Sequence, residues 1–93
     1  MLDKKFWEDV SFLLGSKLSR KILKCLSSSD KPLAPVQISK LTNIARSNVS
    51  TKLGELRRRD LVKCINPKAR KWRFYVITKK GKKTLKEIEK LSK

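Results

Sequence analysis

The stretch Pro35-Val36-Gln37-Ile38-Ser39-Lys40-Leu41-Thr42-Asn43-Ile44-Ala45-Arg46-Ser47-Asn48-Val49-Ser50-Thr51-Lys52-Leu53-Gly54-Glu55-Leu56-Arg57-Arg58-Arg59 decides the fold. Pro35 suits the first turn of a helix, where its missing N–H would have no intrahelical partner. Ile38 and Leu41 supply an apolar face at helical spacing. Asn43 falls where a turn is needed, and asparagine tolerates left-handed backbone angles better than most non-glycine residues. Ile44 is expected to tuck in behind it. Val49, Leu53 and Leu56 recur at i, i+4 and i+7, so a second helix buries that side. The other side carries Ser47, Asn48, Ser50, Thr51, Glu55 and Arg58, without apolar bulk. That is the layout of a helix-turn-helix whose second helix enters the major groove. Such helix pairs also occur in proteins that never meet nucleic acid, because a fold does not fix a function. Ala45 stands where a Ser or Thr cap is usual, and forfeits about 0.5–2 kcal/mol. Ser47 is the substitute cap, on a slightly shortened helix.

Downstream, Asp60-Leu61-Val62-Lys63-Cys64-Ile65 changes to strand chemistry. Asn66-Pro67-Lys68-Ala69-Arg70-Lys71 makes a turn, and Trp72-Arg73-Phe74-Tyr75-Val76-Ile77 returns as a second strand. A hairpin directly after a helix-turn-helix is a wing, and its tip carries Lys68, Arg70 and Lys71 with Arg73 just inside. Those cations can reach a minor groove or flanking phosphates, or simply keep an exposed edge soluble. Thr78 caps a last helix over about 79–91, whose apolar stripe is Leu85, Ile88 and Leu91. Lys79, Lys80, Lys82 and Lys83 crowd its first turn, where the helix dipole prefers acids.

Upstream, a helix is expected over about 2–14. Phe6, Val10 and Leu13 share one face, and Trp7 and Leu14 widen it. Phe12 points elsewhere, toward a gap in the core or a partner subunit. Gly15 ends that helix and Ser16 caps the next, over about 17–28, which turns Leu18, Ile22, Cys25 and Leu26 inward. A loop by composition follows, and Leu33-Ala34 form a very short strand. The expectation is one α+β, mostly α, winged helix-turn-helix domain over 1–93, with the helix-turn-helix at about 35–59 and the wing at about 61–77.

Charge narrows the function. Lys and Arg number 25 against 8 Asp and Glu, a net +17. Between Leu61 and Lys86 there are ten bases and no acid. So one-signed a field destabilises the compact state and attracts polyanions. A general cationic bias is the bland reading; nucleic acid is the stronger one. No apolar run approaches the roughly 20 residues of a membrane span and no signal peptide opens the chain, so a cytoplasmic protein without membrane partners is expected. With no histidine, the commonest general base and metal ligand is missing. Glu8 and Asp9 are adjacent and cannot flank a substrate as a pair. No glycine-rich phosphate loop exists among three glycines. Cys25 and Cys64 are most simply small core residues, although a bridge between them is conceivable. Neither an enzyme, nor a metal, nor a cofactor is expected.

The run from Phe12 to Ile88 resembles the archaeal winged-helix transcriptional regulators related to the ArsR and MarR families. The resemblance rests on Gly15-Ser16-Lys17, Ile22-Leu23, Val49-Ser50 with Leu53 and Leu56, Asp60-Leu61-Val62, Asn66-Pro67, Arg73-Phe74-Tyr75 and Thr78-Lys79-Lys80-Gly81. Asp60 replaces the glycine usual before Leu-Val, and Ala45 the usual capping serine. The resemblance implies a homodimer joined through terminal helices and regulation of nearby promoters. The metal-sensing branch uses Cys or His clusters that this chain lacks.

The resulting expectation is a regulator that reads double-stranded DNA. Ser47, Asn48, Ser50, Thr51 and Lys52 would contact bases, with Asn48 suited to a bidentate contact on adenine. Ser39, Lys40, Arg46, Arg58, Lys68, Arg70, Lys71 and Arg73 would hold the backbone. Trp7, Phe12, Leu85, Ile88 and Leu91 would form the dimer interface. The alternative is a basic architectural DNA- or RNA-binding protein without sequence preference. Placing Trp72, Phe74 and Tyr75 in a strand packed on helices leaves RNA base stacking weakly supported.

Overall fold

The structure is a computed structural model that describes residues 3–91; Leu2, expected in the first helix, lies outside them. In chain order the elements are α1 (Lys4–Leu14), α2 (Lys17–Ser28), α3 (Pro35–Thr42), α4 (Arg46–Arg58), β1 (Val62–Cys64), β2 (Tyr75–Ile77) and α5 (Lys79–Leu91). This is the winged helix-turn-helix order that the sequence implies.

Local chemistry sets most boundaries. Asp3, not singled out in the sequence, caps α1 by accepting from the Phe6 N–H at 2.9 Å. At the far end Arg20 donates from one nitrogen to the carbonyls of Leu13 and Leu14, both at 2.7 Å. A cation is favoured at a helix C-terminus, and this one is committed to the fold. Ser16 caps α2 through the Ser19 N–H. Pro35 opens α3, and Gln37 Oε1 accepts from the Ala34 N–H at 2.8 Å. That is half a capping box, since Ala34 has no side-chain acceptor to return the bond. Asn43 ends α3 in the left-handed region at φ 60°, as read. Asp60 takes φ 62° after α4, which explains why glycine is the usual residue there.

Helix α4 starts at Arg46 with Ala45 as an unassisted cap. Ser47 therefore lies inside the helix and does not cap it, correcting the shortened start. Its backbone carbonyl instead accepts from Thr51 Oγ1 at 3.0 Å.

The core gathers Phe6, Val10 and Leu13 of α1, Ile22, Leu23 and Leu26 of α2, Ile38, Ile44, the α4 face of Val49, Leu53 and Leu56, and Leu85 and Ile88 of α5. Three expected core residues are corrected. Leu41 is 67% exposed, and Trp7 and Leu14 also face outward. The apolar face of α3 is one residue wide at Ile38, because α2 and α4 approach it from that side alone.

The wing is shorter than its sequence suggested. Strands β1 and β2 pair antiparallel with Val62 opposite Ile77, Lys63 opposite Val76 and Cys64 opposite Tyr75. Leu33 adds one bridge to the outer side of Tyr75, with N···O distances of 3.0 and 2.8 Å, so the very short strand at 33–34 is a single residue pair. Thr78 caps α5 by accepting from the Gly81 N–H at 2.9 Å, and its hydroxyl donates to the Asp60 carbonyl at 2.8 Å. Gly81 is required by close approach. A Cβ there would run into the Leu61 carbonyl oxygen and lie 2.7 Å from Ile77 Cγ1.

Asp9 is the main feature unread in the sequence. It is 1% exposed and faces two cations. Arg59 Nη1 donates to Oδ1 at 3.0 Å, and Lys80 Nζ stands 3.0 Å from Oδ2. The ammonium also donates to the Arg59 carbonyl at 3.0 Å, and its contact with Oδ2 is an ion pair without hydrogen-bond geometry. Arg59 also lies 4.0 Å above the centroid of the Phe12 ring, a cation–π contact. Thus Arg59 and Lys80 tie α1, the end of α4 and the start of α5 together.

Candidate nucleic-acid interface

Burying Val49, Leu53 and Leu56 turns the rest of α4 outward. Each residue advances about 100° around a helix, so the outer face divides into three rows. Ser47, Thr51 and Arg58 run along its centre and are exposed. Arg46, Ser50, Gly54 and Arg57 face the wing. Asn48 lies on the flank away from the wing, beside Lys52, which is half-buried and paired with Glu55 at 3.8 Å. The five residues expected to contact bases therefore share one helix face but not one row.

Their donors are not equally available. Thr51 has given its hydroxyl proton to the Ser47 carbonyl, leaving an acceptor oxygen and a methyl group. Asn48, Ser47 and Ser50 are exposed and make no side-chain hydrogen bond among the described residues. Ser39, expected to hold a phosphate, donates its hydroxyl to the Ile44 carbonyl at 2.6 Å. A phosphate needs a donor and that proton is spent on closing the turn, so Ser39 is a positioning residue for α4. Lys40 is exposed on α3.

Between α4, the start of α3 and the wing lies an open groove of about 870 Å³. Arg46 and Arg57 line it from α4, and Arg70, Lys71 and Arg73 from the wing, with no acid among the lining residues. Ala34, Pro35, Val36 and Tyr75 provide an apolar floor. Gly54 leaves room there, since a Cβ at that position would meet only Arg58 Nη1, at 3.8 Å. Lys68 stays exposed at the tip outside the groove. Arg57 is not among the expected backbone contacts, although its spacing of seven from Ser50 and eleven from Arg46 puts it in the same row.

The wing is pinned at its base by Asn66. Its Nδ2 donates to the Trp72 carbonyl at 2.9 Å and its Oδ1 accepts from the Phe74 N–H at 2.8 Å. Arg73 Nε donates to the Ala69 carbonyl at 2.8 Å, closing the tip on itself. Trp72 lies outside β2, in the left-handed region at φ 57° and 61% exposed. This corrects its placement in a strand against helices. A left-handed backbone costs an L-residue about 1–2 kcal/mol, so the indole is held outward at a cost.

Of the residues expected at a dimer interface, Leu85 and Ile88 are buried within the chain and Phe12 is half-buried beneath Arg59. Trp7 and Leu91 are exposed. Cys25 and Cys64 are free thiols, and burial pushes the Cys25 thiol above its ordinary pKa. No group of three or more metal-binding side chains occurs among the described residues, and none of their helices is long and apolar enough to cross a membrane.

The IclR helix-turn-helix domain model matches residues 20–63, from α2 through β1. No curated protein matches the chain. Solved structures do. Wild-type MarR from E. coli superposes with a TM-score of 0.74 at 19% identity, covering 96% of this chain and 66% of that one. A MarR mutant from E. coli complexed with operator DNA gives 0.72 at 19%, covering 96% and 64%. A MarR family transcriptional regulator from Silicibacter pomeroyi DSS gives 0.69 at 31% identity, covering 91% and 57%. The chain thus spans about three-fifths of the length of the structures it resembles. These likenesses establish a winged helix-turn-helix fold of the MarR kind.

Proposed function

We propose that the protein is a sequence-reading regulator that binds double-stranded DNA through α4 and the wing, of the kind that the resemblance to archaeal ArsR- and MarR-related proteins implies. One observation carries this reading. An acid-free groove with five cations separates α4 from the wing, beside a helix face of short, exposed polar side chains. Phosphate contacts fix register and base-edge contacts specify sequence, and the two sets are adjacent here. Asn48, Ser47 and Ser50 read bases as donors, Thr51 reads as an acceptor and methyl contact, and Lys52 joins them by releasing Glu55. Arg46, Arg58, Arg70, Lys71 and Arg73 hold the backbone, with Lys40 and Lys68 at the edges. Trp7 and Leu91 lie on α1 and α5, which pack together, and present apolar surface for a homodimer. Its two recognition helices would meet half-sites about 34–36 Å apart.

Selection of binding sites from a random duplex pool tests this directly. An enriched motif is expected, and its recovery at the frequency of bulk sequence refutes base reading. Asn48→Ala should cost roughly 1–3 kcal/mol at one base-pair position. Arg70→Ala should weaken all sequences alike and reduce the salt slope by about one unit.

The second reading, adhesion without sequence preference, is favoured by the charge. Ion pairs among the described residues occupy only Lys52, Arg59 and Lys80, leaving a large cationic excess. It expects random competitor DNA to displace any selected site equally well.

A further inference from the structure

The groove beside α4 is cationic at its rim, yet its floor and one wall are apolar. Trp72 supplies that wall, beside the floor of Ala34, Pro35, Val36 and Tyr75. A free inorganic anion would use the cations and leave the indole idle. A nucleic-acid strand would use both, because its backbone alternates charged phosphates with sugars that present C–H surface. In a duplex the bases stay stacked, so what lies between successive phosphates is the deoxyribose.

We infer that Trp72 is a DNA-binding residue that packs its indole against a backbone deoxyribose, while Arg46, Arg57 and Arg70 hold the flanking phosphates. The inference rests on the duplex-binding reading above. Two further observations support it. Trp72 stays 61% exposed at a backbone conformation unfavourable for its size, and such outliers persist where the surroundings over-determine them, commonly at binding sites. Asn66 supplies that determination by bonding the backbone on both sides of Arg73. The Trp72 contact carries no sequence information and no charge. It therefore differs in kind from Asn48, which reads a base, and from Arg70, which displaces counterions.

The test is Trp72→Asn, because asparagine tolerates left-handed backbone angles. The variant is expected to melt no lower than the wild type yet bind every duplex about five- to twenty-fold more weakly, with an unchanged salt slope and unchanged sequence preference. The tryptophan emission of the wild-type protein should shift on duplex addition, and that change should vanish in the variant. Duplex binding that leaves emission unmoved and is equal in variant and wild type overturns the inference while sparing the regulator reading. Tighter binding of a single-stranded oligonucleotide than of duplex, abolished by Trp72→Asn, also overturns it, by making the indole a base-stacking platform. Failure of the wild type to bind any duplex removes both.

Discussion

Replacing Asp9 by alanine should reveal how much of the fold hangs on one carboxylate. The group is 1% exposed, and it balances Arg59 and Lys80, each at 3.0 Å. Removing one member of a buried ion pair costs about 3–5 kcal/mol when the survivor is stranded out of water. Here the stranded side chains are 36% and 28% exposed, so water recovers part of the loss. The expected destabilisation is about 2–3 kcal/mol by that reasoning. Domains of this size lose about 4–8 °C in Tm per kcal/mol, so the melt should fall by roughly 10–20 °C. In urea the midpoint should move down by roughly 1–2 M at constant slope. Glu8→Ala supplies the control, an exposed acid on the same helix that should change stability by no more than about 0.5 kcal/mol. A double-mutant cycle with Arg59→Ala should return a coupling of about 0.5–3 kcal/mol. Equal effects of the Asp9 and Glu8 substitutions, or a coupling of zero, would refute the assignment of Asp9 as the link between α1, α4 and α5.

Gly81→Ala should cost about 2–3 kcal/mol through overpacking, because the new methyl meets the Leu61 carbonyl rather than a movable side chain; an unchanged thermal midpoint would contradict it. Arg59→Ala should lower stability while leaving the salt slope of DNA binding intact, in contrast to Arg70→Ala. A loss of slope would place Arg59 on the DNA. For Cys25, burial raises the folded thiol pKa, so its contribution to stability is complete below the unfolded value and is lost as pH rises through the folded one. Urea midpoints should therefore fall less in Cys25→Ala than in the wild type between about pH 8 and pH 10, and parallel curves would exclude the effect.

Residues that act within one turn of their neighbours were legible in the sequence. Pro35, Asn43, Ser16 and Thr78 start or stop helices by local chemistry, and Val49, Leu53 and Leu56 mark the buried side of α4 by spacing alone. Residues whose role depends on what packs opposite were not. Periodicity gives the direction of Leu41 but not the reach of the helix that would cover it. Asp9 falls three residues after Phe6 and four before Leu13, squarely on the apolar face of α1. That position is the signal of a buried charge, and its partners 50 residues or more away could not be read. Trp72 looked like strand because a tryptophan beside Phe74 and Tyr75 has strand composition, and a left-handed backbone leaves no mark on composition. The basic face and the outer α4 residues were visible as a set, whereas their division into rows awaited the position of the wing.

The bridge between Leu33 and Tyr75 joins the segment ahead of α3 to the second wing strand. With the turn at Ser39 closed and α4 seated on the core, α4 and the wing strands are tied into one hydrogen-bonded frame. Under the proposed function, a duplex would have to fit the spacing that this frame presents or deform to meet it. Discrimination would then extend to the width and stiffness of the duplex, at base pairs that no side chain touches.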